Sequence, residues 1–222
     1  MSATRRAKAR DMAYRHLEAG DSLGWFEELY SQAGGDASII PWADLIPNPN
    51  LVGWLDRNQV VGTGRKALKV GSGLGDDAEE LAQRGFTTTA FDISVSAIAW
   101  SQRRFPQSTV SYGVADLFCA PAEFRGAFDF VLESYTLQVL PPDLRRNAMH
   151  SIASFISPQG TLLVIARGRE LSDPKGKMPW PLTKQELTNF QTFNLKEIGF
   201  EDYLDDEDPP VRRFRVVYQR KS

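Results

Sequence analysis

Residues 66–92, KALKVGSGLGDDAEELAQRGFTTTAFD, constrain the fold more than any other stretch of the chain. An apolar strand (Ala67, Leu68, Val70) runs into Gly71-Ser72-Gly73-Leu74-Gly75 and then into a helix-compatible segment. A second strand, Thr87 to Phe91, follows and ends on Asp92. Glycines let a backbone turn sharply and approach a ligand with no Cβ in the way. A helix that starts just after them offers free N–H groups. An acid about 20 residues beyond is placed to accept hydrogen bonds from ribose hydroxyls. Strand, glycine turn, helix, strand and acid make the layout of a nucleotide-type cofactor cradle.

The rest of the chain extends this unit. Its 222 residues suit one α/β domain with extensions. From residue 66 onward, strand patterns (66–70, 87–91, 109–114, 128–132, 161–166) alternate with helix patterns (76–84, 95–105, 142–156). That alternation predicts a mostly parallel sheet with helices on both faces. The tail breaks the rhythm. Thr183-Lys184-Gln185-Glu186 reads as a capping box opening a helix to about Phe193. Strands at 198–204 and 212–220 then flank Asp205-Asp206-Glu207-Asp208-Pro209-Pro210, a turn too short for a parallel return. These two strands are therefore an antiparallel hairpin. Upstream, helical spacing at 12–17 and 23–30 and the Asn48-Pro49 helix start predict a helical cap over residues 1–60, with a cofactor-binding domain over 61–222, the two forming one unit.

Bulk composition excludes several classes. Lys+Arg 26 against Asp+Glu 28 leaves a net charge of −2, against the positive excess of nucleic-acid binders. No apolar run approaches the ~20 residues of a membrane span. The basic start (Arg5, Arg6, Lys8, Arg10) lacks the apolar segment of a signal peptide. A single cysteine, Cys119, and two histidines, His16 and His150, predict no disulfide and no metal site. The expectation is a cytoplasmic monomer acting on a small molecule, with neither nucleic acid nor membrane as a partner.

Which cofactor the cradle holds turns on its details. A dinucleotide fingerprint needs glycine at the sixth position, where Asp76 stands, and an anionic pyrophosphate is disfavoured by Asp76-Asp77 at the helix start. S-adenosylmethionine (SAM) has no phosphate and carries a cation. The glycines, Asp92, a further acid at Asp116 after the third strand, and the closing hairpin resemble the class I SAM-dependent methyltransferases over residues 66–220. The resemblance implies a Rossmann-like, seven-stranded, mostly parallel sheet with an antiparallel C-terminal strand. It also implies SAM as cofactor, S-adenosylhomocysteine (SAH) as product, and contacts from Gly71, Ser72, Gly73, Gly75, Asp77, Asp92, Ile93, Asp116 and Leu117. Asp116 would meet the adenine amino group. Capping competes with cofactor contact at Asp77, and a turn role competes at Asp116. One departure is Lys69, two residues before the first glycine, where many members carry an acid. A non-catalytic SAM binder and an NAD-linked oxidoreductase stand as rivals.

A narrower resemblance lies upstream. Gly24-Trp25-Phe26-Glu27 and Pro41-Trp42-Ala43-Asp44 look like the thiopurine, thiol and halide methyltransferase group, which closes N-terminal aromatics over the cofactor. Trp25 and Trp42 inherit that role, against plain core packing.

In open α/β sheets the ligand sits beyond the carboxyl ends of the strands, so Glu133-Ser134-Tyr135 should edge the reaction centre. Glu133 is the candidate general base, or else a hydrogen-bond partner of the cofactor's amino group. Tyr135 is a candidate catalytic and pocket residue. The loop after the fifth strand, with Arg167, Arg169 and Trp180, is long enough to shape the acceptor site. Its arginines suit an anionic acceptor or a solvated surface. Pro141-Pro142 lies too far from that strand end to be a nucleic-acid amino-methyltransferase motif and more simply starts a helix.

Overall fold

A computed structural model describes residues 2–221. Met1 and Ser222, the outer limits of the two expected segments, lie outside the described residues. The strands are β1 (Lys66–Val70), β2 (Thr87–Asp92), β3 (Ser111–Val114), β4 (Phe128–Ser134), β5 (Ile156–Arg167), β6 (Leu195–Leu204) and β7 (Arg212–Arg220). The α-helices are α1 (Ser2–Glu18), α2 (Gly24–Ala33), α3 (Pro49–Arg57), α4 (Asp76–Gln83), α5 (Val95–Arg104), α6 (Pro142–Phe155) and α7 (Lys184–Thr188).

One seven-stranded sheet forms, in the order β3-β2-β1-β4-β5-β7-β6. Pairings from β3 through β5 are parallel. β7 enters between β5 and β6 and runs antiparallel to both. This is the mostly parallel sheet closed by an antiparallel hairpin that the alternating pattern and the short 205–210 turn called for, with the Rossmann-like topology that the resemblance implied. The order reverses between β1 and β4, and there the carboxyl ends of the strands open a crevice.

Alternate residues of the central strands feed two cores. Leu68, Val70, Val131, Leu162 and Val164 pack on one face; Ala67, Phe130, Leu132, Leu163 and Ile165 pack on the other. Both faces are covered, hence the near-continuous apolar reading of β1, β4 and β5. A third cluster joins the N-terminal helices to the sheet unit through Trp25, Leu29, Tyr30, Leu74, Ala97 and Trp100. There Glu27 of α2 caps α5, accepting from Ser94 Oγ at 2.6 Å, Ser96 N at 3.0 Å and Ser96 Oγ at 2.6 Å.

Several boundaries differ from the sequence reading. β5 begins at Ile156 instead of 161, because α6 passes straight into the strand, with a register irregularity between Phe128 and Phe130. β3 starts at Ser111, after a turn in which Ser108 Oγ accepts from Val110 N at 2.9 Å. The capping box forms, Glu186 N donating to Thr183 Oγ1 at 3.1 Å and Thr183 N to Glu186 Oε2 at 2.8 Å. The α-helix it opens stops at Thr188 and tightens into a 3-10 segment, Asn189–Phe193, that ends on left-handed Asn194.

Candidate functional site

The glycine loop depends on its missing side chains at two places. Gly71 (φ +61°) and Gly73 (φ +55°) adopt left-handed backbone, a conformation costly for other residues. A Cβ on Gly71 would stand 2.5 Å from Thr136 Oγ1, and one on Gly73 would stand 3.1 Å from Tyr30 Oη. The loop is held by the acid that ends β2. Asp92 Oδ2 accepts from Gly73 N at 2.9 Å, and Oδ1 accepts from Ser94 N at 3.0 Å. Burial pushes the Asp92 carboxyl up, and these N–H groups with nearby Lys69 hold it down. A carboxylate offers about four acceptor sites, so Asp92 can bind the loop and still accept from a ligand.

Above the carboxyl ends of the strands lies a cavity of about 1060 Å³. On its cradle side the wall includes Gly71, Ser72, Gly73, Asp77, Asp92 and Ile93. Asp116 and Leu117 continue it past β3. Asp116 also accepts from Phe118 N at 2.8 Å, so it caps the next turn and faces the cavity at once. Ser72 Oγ is buried with no hydrogen-bond partner. A buried hydroxyl without a partner on a cavity wall marks a place for a polar ligand group.

The N-terminal aromatics complete this side. Trp25 is buried and stacks on Phe26 at 3.9 Å. Trp42 meets it edge-on at 6.0 Å and donates from Nε1 to Tyr30 Oη at 2.8 Å. Both tryptophans and Tyr30 line the cavity. Tyr30, absent from the sequence reading, carries no motif of its own; its place over Gly73 comes from the docking of α2.

Under the loop lies Lys69, buried, donating from Nζ to Val70 O at 2.9 Å and Gly71 O at 3.1 Å. Its ammonium is 4.0 Å from Asp77 Oδ2. Asp77 Oδ1 accepts from Asn48 N at 2.8 Å, tying the start of α3 to the cradle. Asp76 is paired with Arg104 through two bonds of 2.7 Å. Its charge is answered within the protein although it lines the cavity, a finding that removes part of the charge argument against pyrophosphate.

Beyond β4 and β5 the wall is polar and aromatic. Tyr135 (φ +66°) turns the chain at the end of β4. Its ring lies 4.8 Å from the Arg213 guanidinium carbon, and its hydroxyl accepts from Asn50 Nδ2 at 3.1 Å. Tyr203 donates to Asn50 Oδ1 at 2.8 Å. Arg167, Tyr203 and Arg213 line the cavity here, and so does the acidic turn Asp205-Asp206-Glu207. In sequence that turn reads only as a hairpin connection; in the fold it also lines the cavity.

Four expected site residues lie off this wall. Glu133 is fully buried. Its Oε1 accepts from Thr136 N at 2.7 Å and Leu137 N at 2.9 Å, so the side chain clamps the turn after β4 instead of reaching a ligand. Burial pushes its carboxyl up to about 7, and Oε2 has no partner. Side chains alternate along a strand, and the strand end brings Ser134 and Tyr135 to the cavity without Glu133. Gly75 begins α4 with φ +95°, where a Cβ would meet Tyr112 Oη at 2.5 Å; it serves helix–strand packing. Trp180 packs instead toward α6, its ring 5.8 Å from the Arg145 guanidinium carbon. Arg169 is likewise structural, donating to the carbonyls of Pro181, Glu170 and Asp173 at 3.1 Å each.

Among the described residues no group of three or more His, Cys, Asp or Glu is disposed to hold a metal ion. No described helix is long and apolar enough to cross a membrane.

Residues 67–160 match a family described as "Methyltransferase domain". The 1,6-didemethyltoxoflavin-N1-methyltransferase of Burkholderia thailandensis, solved with 1,6-didemethyltoxoflavin and SAH, is 15% identical over 89% of this chain and 88% of its own, with a TM-score of 0.68. A SAM-dependent methyltransferase from Methanosarcina mazei is 17% identical over 79% of this chain and 99% of its own, with a TM-score of 0.65. The magnesium protoporphyrin IX methyltransferase of Synechocystis PCC 6803, solved with bound SAM, is 16% identical over 78% of this chain and 77% of its own, with a TM-score of 0.61. At these identities the structural likeness is one of fold.

Proposed function

We propose that the chain is a SAM-dependent methyltransferase of the class I fold that methylates a small organic acceptor, with a thiol as the reacting group. The observation that carries the acceptor reading is the continuity of the cavity from the glycine cradle to Tyr135, Arg167 and Tyr203. Its volume of about 1060 Å³ stands at the top of the range of about 300–1,000 Å³ usual for one drug-sized ligand, which leaves space beside a cofactor. That space favours an organic thiol over a bare halide ion.

The residues present fit SAM. Asp92 would accept from its ribose hydroxyls, Asp116 would accept from its adenine amino group, and the unpartnered Ser72 Oγ would bond a polar group between them. Gly71 and Gly73 leave room for close approach, Ile93 and Leu117 would supply apolar contact, and Asp77 ties the start of α3 to the cradle. Trp25 and Trp42 would cover the cofactor at this end. When bound, SAM supplies a methyl carbon activated by its sulfonium.

Orienting the nucleophile is then the chain's main work, a proximity effect. Tyr135 stands at the end of β4 where the two halves of the cavity meet, and it is the residue we assign to that wall. Burial pushes its hydroxyl up, so it stays protonated near neutral pH and can hold a hydrogen bond. Glu133 does not reach the cavity. An acceptor that enters as a thiolate needs no base there, whereas an alcohol would. The net charge of −2 and the single cysteine support free small-molecule turnover in the reducing cytoplasm, and we infer a monomer.

Calorimetry with SAM and SAH, beside NAD, tests the cofactor half. SAM and SAH should bind and NAD should not. Asp92→Ala should weaken SAM by about 1–3 kcal/mol, the scale of charge-assisted hydrogen bonds. Unchanged affinity in that variant would refute the ribose assignment, and no binding to the native chain would overturn the reading as a whole.

A further inference from the structure

Arg167 is the last residue of β5, and its backbone N–H donates to Gln138 Oε1 at 2.8 Å. Directly across on β7 stands Arg213, and across from that on β6 stands Tyr203. All three line the cavity. Like charges directly opposite on neighbouring strands repel. Arg213 is answered: Nε donates to Asp205 Oδ2 and Nη2 to Glu207 Oε1, each at 2.5 Å. Arg167 is not. Among the described residues its guanidinium makes no hydrogen bond and no ion pair, and its polar ties outside the sheet are backbone ones, N–H to Gln138 Oε1 and the carbonyl from Leu182 N, each at 2.8 Å. Burial, with Arg213 and Arg6 close by, pushes the guanidinium down, and the nearby Glu207 carboxylate, itself bonded to Arg213, offsets this in part. An arginine stays charged and carries five N–H donors, so leaving it half-buried and unmatched is costly unless an anion comes to it.

The residue two positions on provides a contrast. Arg169 has its donors taken by three carbonyls, with Glu186 a further 3.7 Å from Nη2. The same loop thus satisfies one arginine fully and leaves the other facing the cavity. Around Arg167 the hydroxyls of Tyr135 and Tyr203 are bonded to Asn50, with Arg213 over the first ring and Arg215 over the second, each at 4.8 Å, so the Tyr135 O–H, which only accepts from Asn50, stays free to donate.

We propose that Arg167 anchors an oxyanion carried by the methyl acceptor, so that the acceptor is a small organic acid whose acidic group is a carboxylate or a phosphate. The proposal rests on the methyl-transfer reading and specifies its substrate class. Arg167 ends the strand two places from β1, which feeds the glycine loop. At about 4.8 Å per strand that is roughly 10 Å, so the acidic group is held away from the cofactor and the reacting atom lies between, over Tyr135. A planar guanidinium matches such oxyanions through two parallel N–H bonds.

The test uses the SAH-saturated protein, titrated calorimetrically with benzoate, with inorganic phosphate, and with benzamide as the neutral counterpart of benzoate. At least one of the two anions should bind saturably, and benzamide should not. Arg167→Met should weaken the anion about 10- to 100-fold, the scale of hydrogen bonds to a charged group, with SAH affinity unchanged. Arg167→Lys, which keeps the charge and loses the fork, should retain part of the affinity. Benzoate binding assigns a carboxylate acceptor, and phosphate binding assigns a phosphorylated one. Binding of neither anion, equal binding of benzamide, or an anion affinity unmoved by Arg167→Met overturns the proposal while leaving methyl transfer intact. Failure of SAH to bind the native chain removes both readings together.

Discussion

Asp92 and Arg167 stand at strand ends on opposite flanks of the β1–β4 switch, and both face the same cavity. Asp92 is tied by two backbone N–H groups from the segment that immediately follows it or that it supports. Arg167 is tied only through its backbone. The cradle flank is built from consecutive residues whose polar groups largely satisfy one another, so it is nearly complete without a ligand. The other flank draws on α1, α3, β5 and the β6–β7 hairpin, and it leaves a cation unanswered. Such a division fits a site in which one ligand chemistry is fixed by the fold and the other is set by what the remaining chain brings.

The largest effect that would probe this division is expected from Gly71→Ala. Left-handed backbone on a non-glycine residue costs about 1–2 kcal/mol, and the contact with Thr136 adds a packing cost of similar size. SAH affinity should fall about 100-fold, and adding Thr136→Ala should restore only the packing share. Full recovery in the double variant would show that the backbone conformation is not what the cradle requires.

A pH series sharpens the border between the flanks, where Glu133 holds the turn. Its carboxyl is raised from 4.5 to about 7, so the folded state binds a proton that the unfolded state has released between those values. Its contribution to stability is present below about pH 4.5 and is lost as pH rises through about 7. Glu133→Gln keeps an acceptor for Thr136 N and Leu137 N and removes the titration. Thermal melts should show the variant gaining on the native chain from pH 5 to pH 8. A difference independent of pH would place the charged form in a better solvated setting than its burial implies.

The smallest change is expected on the acceptor flank. Tyr203→Phe removes the hydrogen bond to Asn50, worth about 0.5–1.5 kcal/mol. The KM for the acceptor should shift a few-fold while SAH affinity stays constant. A fall in SAH affinity would mean that the two flanks are coupled through Asn48 and Asn50, and the comparison would lose its force.

Legibility in the sequence followed the same line. The strand–glycine–helix–strand–acid run placed Gly71, Ser72, Gly73 and Asp92 on the cavity because its geometry is local and its spacing fixed. The bond from Glu133 to the turn after β4 was not legible, because a position at a strand end does not tell which way the side chain points. Gly75 was misread because a glycine required by a neighbour, Tyr112, looks in sequence like a glycine required by a ligand. Tyr30 and the acidic turn at 205–207 gave no signal at all, since their places depend on the docking of α2 and the placement of the hairpin.

By itself, the sequence determined the sheet, its antiparallel closure and the cradle, because hydrophobic period, glycine conformation and turn length act over neighbouring residues. Only the tertiary structure decided which charges find partners. Asp76 meets Arg104, Arg213 meets Asp205 and Glu207, and Arg167 meets none among the described residues. Those pairings join residues far apart along the chain, and the energy of each charge is set by burial and by neighbours that only the folded chain assembles.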